Sequence, residues 1–190
     1  MTEQIRFLTK NPGKFRELKQ LLDPKRYKLI RDSTEIRELQ TIDMDALVRD
    51  KVLKAFEHIR HPLIVDHTGL EFDLLKGFPG GLTSVFYDTL GDEGIASLIG
   101  ASANPNVTAV TLIAYCDGRT IYSFRGEARG TVAAYPRGKY NFQWDVLFVP
   151  KGYDKTYAQL SQRKKNEISM RRRAFDKFAA FLKDRKHGKT

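Results

Sequence analysis

The sequence predicts an α/β fold in which a long mixed β-sheet is flanked by helices and two lobes enclose a central cleft. Strand patterns and helical patterns alternate through the first half of the chain. Strand patterns dominate the second half, with a favourable hairpin turn at Asp117-Gly118. A last helical pattern follows them. Helices interleaved with a large sheet and a hairpin are typical of this fold class.

The N-terminal segment 4–14 predicts a buried strand, a tight turn and the start of a helix at Lys14. Apolar residues then recur at helical spacing until Asp23-Pro24, namely Phe15, Leu18, Leu21 and Leu22. The backbone N–H groups and the dipole of such a helix favour anions, and Lys14 adds a full positive charge. The P-loop spacing is missing, so an ordinary strand-turn-helix connection is the alternative.

Four more elements are predicted before the hairpin. Residues 27–31 form a strand, and the apolar face of 44–59 predicts a long helix. The apolar run 63–65 predicts a short strand that ends at Asp66. Ligand groups in α/β proteins commonly lie at such a carboxyl end. A short helix is expected near Asp92.

The second half of the chain predicts a sheet and a closing helix. Strands are expected at 107–116, 120–124, 126–134 and 142–149. The closing helix buries one face and exposes a basic one, and its buried face carries Phe175, Phe178, Ala179 and Leu182.

Composition indicates a soluble globular protein, with 41% hydrophobic and 29% charged residues. We expect one two-lobed domain over 1–190. The single cysteine, Cys116, excludes an internal disulfide framework. No apolar run approaches the length of a membrane span, and the N-terminus has no signal-peptide pattern. A cytoplasmic protein without membrane contact is therefore expected.

The formal net charge of +10 is concentrated at the C-terminus. From Arg163 to Thr190 there are eleven Lys/Arg residues against three acidic ones. Such a concentration indicates a phosphate-bearing partner, either a nucleotide or a nucleic acid. A solvated basic helix face is the alternative for the last residues, from Arg185 onward.

Short motifs follow one another along nearly the whole chain. They are Thr9-Lys10-Asn11 with Lys14 and Glu17, Glu38-Leu39-Gln40, Lys51, Asp66-His67-Thr68-Gly69-Leu70, Gly77-Phe78-Pro79-Gly80, Phe124-Arg125-Gly126 with Gly130, Pro136-Arg137-Gly138, Phe142-Gln143-Trp144-Asp145, Lys155-Thr156-Tyr157-Ala158 and Lys165-Asn166-Glu167-Ile168-Ser169-Met170-Arg171. By their order and spacing the chain resembles the inosine triphosphate pyrophosphatase family. No single motif among them is specific.

This resemblance implies an enzyme that cuts a nucleoside triphosphate between its α and β phosphates, giving a monophosphate and pyrophosphate. The implied substrates are non-standard purine nucleotides such as ITP and XTP. The implied cofactor is Mg²⁺, with Mn²⁺ as the alternative, and the implied assembly is a homodimer.

The resemblance also implies roles for individual residues. Substrate contacts are implied for Thr9, Asn11, Lys14, Phe142, Trp144, Asp145, Lys165, Ser169 and Arg171. Catalytic roles are implied for Lys51, Asp66 and His67, and metal contacts for Glu38, Asp66 and His67. Carboxylate oxygens suit Mg²⁺, and charge-assisted bonds to phosphate contribute about 1.5–3 kcal/mol each.

Three departures from the family pattern fall on the implied site. The family has an acidic pair where this chain has Asp66 followed by His67. His67 is then either a lost carboxylate ligand or a general base. Met170 stands where the family carries a histidine against the nucleobase, and because a thioether donates no hydrogen bond, relaxed selection of the base is expected. Gln143 and Val146 replace a glycine and a proline beside the base pocket.

Two other functions compete with the enzyme. Retained cations without the second acid would suit a catalytically degenerate nucleotide-binding or sensing protein. Consecutive basic residues 171–173 would suit a nucleic-acid binder, but helical spacing distributes them around the axis instead of along one stripe. A nucleic-acid partner is therefore not expected.

Overall fold

A mixed sheet of seven strands is the centre of the computed structural model, which describes residues 2–139 and 143–185. The strands are β1 (Glu3–Leu8), β2 (Tyr27–Asp32), β3 (Leu63–Phe72), β4 (Pro79–Gly80), β5 (Asn106–Cys116), β6 (Ile121–Val132) and β7 (Phe148–Pro150). Their order is β2-β1-β3-β5-β6-β7, and β4 pairs with β3. Strands β2, β1 and β3 are parallel, and the other pairs are antiparallel. The predicted α/β fold with a mixed sheet is confirmed.

Helices cover both faces of this sheet. They are α1 (Pro12–Leu21), α2 (Met44–Ile59), α3 (Thr83–Ile95), α4 (Gln162–Ile168) and α5 (Met170–Asp184). Successive residues of a strand point to opposite faces. Ile64 of β3 accordingly packs with α1 and α5, whereas Leu63 and Val65 pack with α2. A third apolar cluster lies at the far end of β3 and β5, against α3.

Strand β3 is longer than the sequence indicated, so the prediction that a short strand ends at Asp66 is wrong. The strand continues to Phe72 because β5 pairs antiparallel with it along its whole length, from Leu63↔Cys116 to Phe72↔Val107. The parallel partner β1 does end here, at the pair Leu8↔Val65. Asp66 therefore follows the last parallel pair, and the carboxyl edge that was expected to hold ligand groups belongs to β1.

Three other predicted elements differ. The strands expected at 120–124 and 126–134 are one strand, β6, because its pairing with β5 is uninterrupted. Helix α3 begins at Thr83, well before Asp92, and bends at Gly91, whose φ is 65°. Residues 143–146 form a 3-10 turn, and only β7 behind it is a strand.

The remaining elements agree with the sequence. Strands β1 and β2 and helices α1, α2 and α5 lie where periodicity predicted them. Within 2–139 and 143–185, no helix has the length and apolar character needed to cross a bilayer. The division of 1–190 into two lobes of one domain stays a prediction.

Candidate active site

A cavity of about 940 Å³ opens where β1 ends and α1 begins. Its walls come from the start of α1, the segment 33–38, one lysine of α2 and the middle of β3. The residues that line it are Leu8, Thr9, Lys10, Asn11, Lys14, Ser33, Thr34, Glu35, Ile36, Arg37, Glu38, Lys51, Asp66, His67, Thr68, Ser84 and Gln143. The cavity thus collects residues from distant parts of the sequence.

The N-terminus of α1 is capped at the mouth of this cavity. Asn11 Oδ1 accepts from the backbone N–H groups of Gly13 and Lys14, at 2.8 and 3.2 Å. Pro12 occupies the first helical position, where no N–H is needed. The cap leaves the Lys14 side chain free to extend towards β3.

The three acidic residues that line the cavity are each paired with a lysine that also lines it. Lys14 Nζ donates to Asp66 Oδ2 at 2.6 Å, and Lys51 Nζ donates to Glu38 Oε1 at 2.5 Å. Glu35 accepts from Lys10 at the outer rim. Lys51 Nζ also lies 3.0 Å from the backbone oxygen of Asp66. Two cations therefore converge on one residue of β3.

These pairs keep the carboxyl groups ionised. Burial alone would raise the pKa of Asp66, which is 4% exposed, but Lys14 and Lys51 outweigh burial and the pKa is lowered. Burial also opposes ionisation of Glu38, and Lys51 lowers its pKa nonetheless. Both groups are carboxylates near neutral pH.

His67 lies beside Asp66 in sequence but on the opposite face of β3. Its Nδ1 is 3.6 Å from Glu38 Oε2, too long for a hydrogen bond. Its Nε2 is buried without a hydrogen-bond partner in the described part of the chain. Burial lowers the pKa of His67, and Glu38 offsets that only in part. The imidazole is therefore neutral near pH 7.

The predicted metal residues do not form a metal site as they are arranged. Adjacent strand residues point to opposite faces, which separates the side chains of Asp66 and His67. The carboxylates of Glu38 and Asp66 are already bound to ammonium groups. Across 2–139 and 143–185, no cluster of three or more His, Cys, Asp or Glu residues could hold an ion. The donor types suit a divalent cation, and one carboxylate oxygen of each acid is bonded to a lysine.

A second ionic cluster links the 3-10 turn, α4, α5 and α1. Lys165 pairs with Asp145, and Arg171 Nη1 lies 3.3 Å from Glu17 Oε2. Burial raises the pKa of Asp145 despite Lys165, and that of Glu17 despite Arg171. Arg171 also contributes to the lowered pKa of Asp66, so this cluster is within electrostatic range of the cavity. Three of its atoms are buried without hydrogen-bond partners among the described residues, namely Asp145 Oδ1, Glu17 Oε1 and Arg171 Nε.

Comparison with known proteins decides the family. The model of the Ham1 family matches residues 5–181. The chain belongs to the Ham1 family. The dITP/XTP pyrophosphatase of Methanopyrus kandleri is 34% identical over 188 residues, which are 98% of this chain and 100% of that protein. The inosine triphosphate pyrophosphatase of Yarrowia lipolytica is 36% identical over 182 residues, 94% of this chain and 95% of that one.

A solved structure agrees with this result. The Ham1 protein of Staphylococcus aureus has a TM-score of 0.84 and 25% identity, over 96% of this chain and 100% of that one. The family expected from the sequence motifs is confirmed.

Not all residues that the sequence singled out in this Ham1-family chain reach the cavity. Thr9, Asn11, Lys14, Lys51, Asp66, His67 and Glu38 do, whereas Asp145, Lys165 and Arg171 belong to the second cluster. Ser169 is buried at the junction of α4 and α5, where its Oγ accepts from the Arg172 N–H. Phe142 lies outside the described residues.

The indole of Trp144 is part of the core. It is 1% exposed and packs against Phe148 and Tyr157. No open ring face is available for stacking on a base in this arrangement. Met170 and Val146 are also buried in the cluster against α3, and Gln143 lines the cavity.

Sequence reasoning left Glu17 out of the site. The structure pairs its buried carboxylate with Arg171, which the sequence did single out. Glu17 follows Lys14 by three positions in α1, so both lie on one helical face. This three-residue spacing is the feature of the sequence from which a place for Glu17 near the site could have been predicted.

Proposed function

We propose that this chain is a nucleoside triphosphate pyrophosphatase that acts on non-standard purine nucleotides such as dITP, ITP and XTP. One observation carries the proposal: Lys14 and Lys51 converge on Asp66 in a single cavity at the N-terminus of α1. The names of the relatives support it, since they are dITP/XTP and inosine triphosphate pyrophosphatases.

The triphosphate would lie between α1 and β3. Its oxygens would meet the positive end of α1 and the ammonium groups of Lys14 and Lys51, each contributing about 1.5–3 kcal/mol. Arg37 adds a further cation to the cavity wall. Four lining cations against three lining carboxylates leave the cavity net positive before substrate arrives.

The second cluster would bind the base. A keto purine presents an N–H donor beside a carbonyl acceptor. Asp145 can accept from that N–H through its unpartnered Oδ1, and Lys165 can donate to the carbonyl. A 6-amino purine presents the opposite pattern, so a ring acceptor would face the Asp145 carboxylate and an amino donor would face Lys165, which is the costly mismatch.

Hydrolysis adds one water molecule across the bond between the α phosphorus and the oxygen that bridges to the β phosphorus. The water oxygen bonds to the α phosphorus, and the bridging oxygen leaves with pyrophosphate. The attacking water also loses a proton, for which Asp66 and His67 are the candidate acceptors: Lys14 bonds to Asp66 through Oδ2, and His67 Nε2 has no hydrogen-bond partner among the described residues. His67 is then either this base or the replacement of a carboxylate ligand, and the variant His67→Asp distinguishes the two.

The decisive measurement is pyrophosphate release by the purified full chain. Nucleotides to compare are dITP, ITP, XTP, ATP and GTP, each with Mg²⁺ or Mn²⁺. We expect turnover of the keto purines, with kcat/KM for dITP and XTP well above that for ATP. Calorimetric binding of every nucleotide without turnover of any would instead establish the non-catalytic binding protein.

We also propose a homodimer and a cytoplasmic location. Leu74, Phe78 and Val85 are exposed apolar residues around the start of α3, where the Phe78 ring lies 5.5 Å from that of Phe86. Such a patch favours a protein interface. Sedimentation of Val85→Glu should give monomers if this patch is the interface. The location rests on Cys116, the single cysteine, which is a free thiol.

A further inference from the structure

A second cavity lies at the β7 edge of the sheet. Its volume is about 620 Å³, and it shares no lining residue with the cavity around Asp66. That volume is ordinary for a small-molecule site, since such pockets span roughly 300–1,000 Å³. Its wall is built by β5, β6, β7, Asp73 directly after β3, and residues 151–153. None of the helices α1 to α5 contributes a lining residue.

Polar side chains form one wall of this cavity. Thr108 lies opposite Arg129, and Asn106 lies opposite Thr131, in the pairing of β5 with β6. Opposed residues, and residues two positions apart along a strand, point to the same face of a sheet. These four side chains therefore form one group that can donate and accept hydrogen bonds. The segment after β7 joins this group, because the Lys151 N–H donates to the backbone oxygen of Arg129 at 2.8 Å.

The two cations of this cavity are available to a ligand. Arg129 and Lys151 are exposed, and neither side chain makes a hydrogen bond or an ion pair with another described residue. Glu127 is within electrostatic range of Arg129, but its Oε1 already accepts from Arg125 at 2.6 Å. Asp73 is the one carboxylate among the described lining residues. The cavity therefore has a positive balance of charge.

A smaller cavity of about 360 Å³ adjoins the first one. The lining residues that the two cavities share are Arg129, Pro150, Lys151 and Tyr153. On the far side of this shared wall, Arg173 adds a third cation. Its Nη1 donates to the backbone oxygen of Glu127 at 2.6 Å, which holds the guanidinium at the edge of β6. Positive charge thus lies on both sides of the shared wall.

We propose that the larger cavity is a second ligand site, which takes a phosphomonoester about the size of a mononucleotide. Its phosphate would lie between Arg129 and Lys151, since a guanidinium forms paired hydrogen bonds to phosphate oxygens and an ammonium binds them as a point charge. Tyr153 is 36% exposed and offers a ring on which a base can stack. Asn106 and Asp73 supply acceptors for N–H and hydroxyl groups of the ligand. This site does not depend on the proposed hydrolysis.

The test is a titration of the purified full chain with AMP, followed by the NMR shifts of backbone amides. AMP has no phosphoanhydride bond, and the base cluster proposed above disfavours a 6-amino purine. We expect saturable shifts of the amides of Gly130 and Gly152, which line the second cavity. Shifts confined to Asn11 and Lys14 would place AMP in the cavity around Asp66 and overturn the proposal. So would the absence of saturable shifts at millimolar AMP.

The variant Arg129→Gln/Lys151→Met keeps the approximate length of both side chains and removes their charges. Both residues are exposed, so the fold should be kept. We expect AMP to bind at least about tenfold more weakly, because two charge-assisted contacts are lost. The control Lys28→Met/Arg31→Gln removes the same charges from exposed positions of β2, at the opposite edge of the sheet. Equal weakening in both variants would show an effect of net charge alone and would contradict the site.

Other ligands identify what the site takes. Inorganic phosphate should bind more weakly than AMP, and Tyr153→Ala should weaken the binding of AMP but not that of phosphate. Phosphate that bound as tightly as AMP would overturn the assignment of a phosphomonoester. Tighter binding of a single-stranded oligonucleotide than of AMP would overturn it too, because the groove would then be a nucleic-acid surface. A chain that hydrolysed no nucleotide would refute the proposed function and leave these binding results intact.

Discussion

At the scale of single residues, the cavity depends on which way each side chain of β3 points. Asp66 faces α1 and meets Lys14, whereas His67 faces α2 and approaches Glu38. Strand alternation produces this division. Two neighbours in sequence therefore have different electrostatic surroundings, one rich in cations and one beside a carboxylate.

His67→Asp tests whether the imidazole replaces a ligand. An added carboxylate beside Glu38 would supply the hard oxygen that Mg²⁺ prefers. We expect Mg²⁺-supported pyrophosphate release to rise by about tenfold. His58→Asp, at the exposed end of α2, controls for added negative charge. Unchanged or lower activity would favour His67 as a base.

Asp145→Asn tests recognition of the base. The amide keeps the size of the side chain but loses the charge that pairs with Lys165. A lost charge-assisted bond of about 1.5–3 kcal/mol lowers kcat/KM for dITP by about 10–100-fold. Binding of tripolyphosphate should not change. Asp154→Asn, in an exposed loop, is the matched control, and equal losses of nucleotide and tripolyphosphate binding would contradict a base contact.

At the scale of elements, α5 explains much of the basic C-terminal segment. Arg171 pairs with Glu17, Arg172 with Asp176, and Arg173 with the backbone oxygen of Glu127. Three consecutive arginines thus have three separate partners inside the chain. Lys177 likewise donates to the backbone oxygen of Arg125, so α5 covers part of the outer edge of β6. These four basic side chains are therefore engaged in contacts within the chain.

The same helix approaches β6 through a glycine. A Cβ atom at Gly126 would lie 2.0 Å from the backbone oxygen of Met170 and 2.5 Å from the Ala174 nitrogen. Gly126→Ala should therefore push α5 away from the sheet and destabilise the protein by roughly 1–3 kcal/mol in urea unfolding.

Gly152→Ala is the comparison for that variant. Gly152 has a φ of 86° and no atom within 4 Å of an added Cβ. The free energy of unfolding of Gly152→Ala should fall by only about 1–2 kcal/mol, because alanine disfavours a positive φ, and the packing of α5 should not change. A Gly126→Ala protein as stable as the wild type would show that α5 can move freely.

At the scale of the whole molecule, stability should fall in acid. Several carboxyl groups have lowered pKa values in the folded chain, among them Asp66, Asp32, Asp117 and Glu127. The folded state then binds fewer protons than the unfolded one. The stabilisation is complete above the unfolded values near 4 and is lost as pH falls through the lower folded values.

Asp117→Asn isolates one such group. Burial opposes ionisation of Asp117, but the N–H groups of Thr120 and Arg119, with Arg185, outweigh it and lower its pKa. The amide still accepts hydrogen bonds but cannot titrate. We expect a smaller loss of unfolding free energy between about pH 6 and about pH 2 than in the wild type. In Asp154→Asn the loss of unfolding free energy over this pH range should equal that of the wild type. An equal effect in both variants would contradict a contribution from Asp117.

Carboxyl groups whose pKa is raised in the folded chain have the opposite effect on the pH dependence of stability. Burial raises the pKa of Asp145 and Glu17, so the folded state binds protons more strongly there than the unfolded state does. Their contribution is present below the unfolded values and is lost as pH rises through the folded ones. Both lie in the cluster proposed to bind the base, which is consistent with stability given up at a functional site.

Sequence by itself determined the α/β class, the family motifs and the elements with strong periodicity. The helical patterns of α1, α2 and α5 depend on local spacing, which is why they were predicted correctly. Only the tertiary structure decided that β3 continues beyond Asp66 and that β6 is one strand, because distant strands supply those hydrogen bonds. It also decided that Trp144 is core and that Lys14 and Lys51 bind carboxylates. Those outcomes depend on which surfaces meet across the sheet, and that information is not present in any single segment.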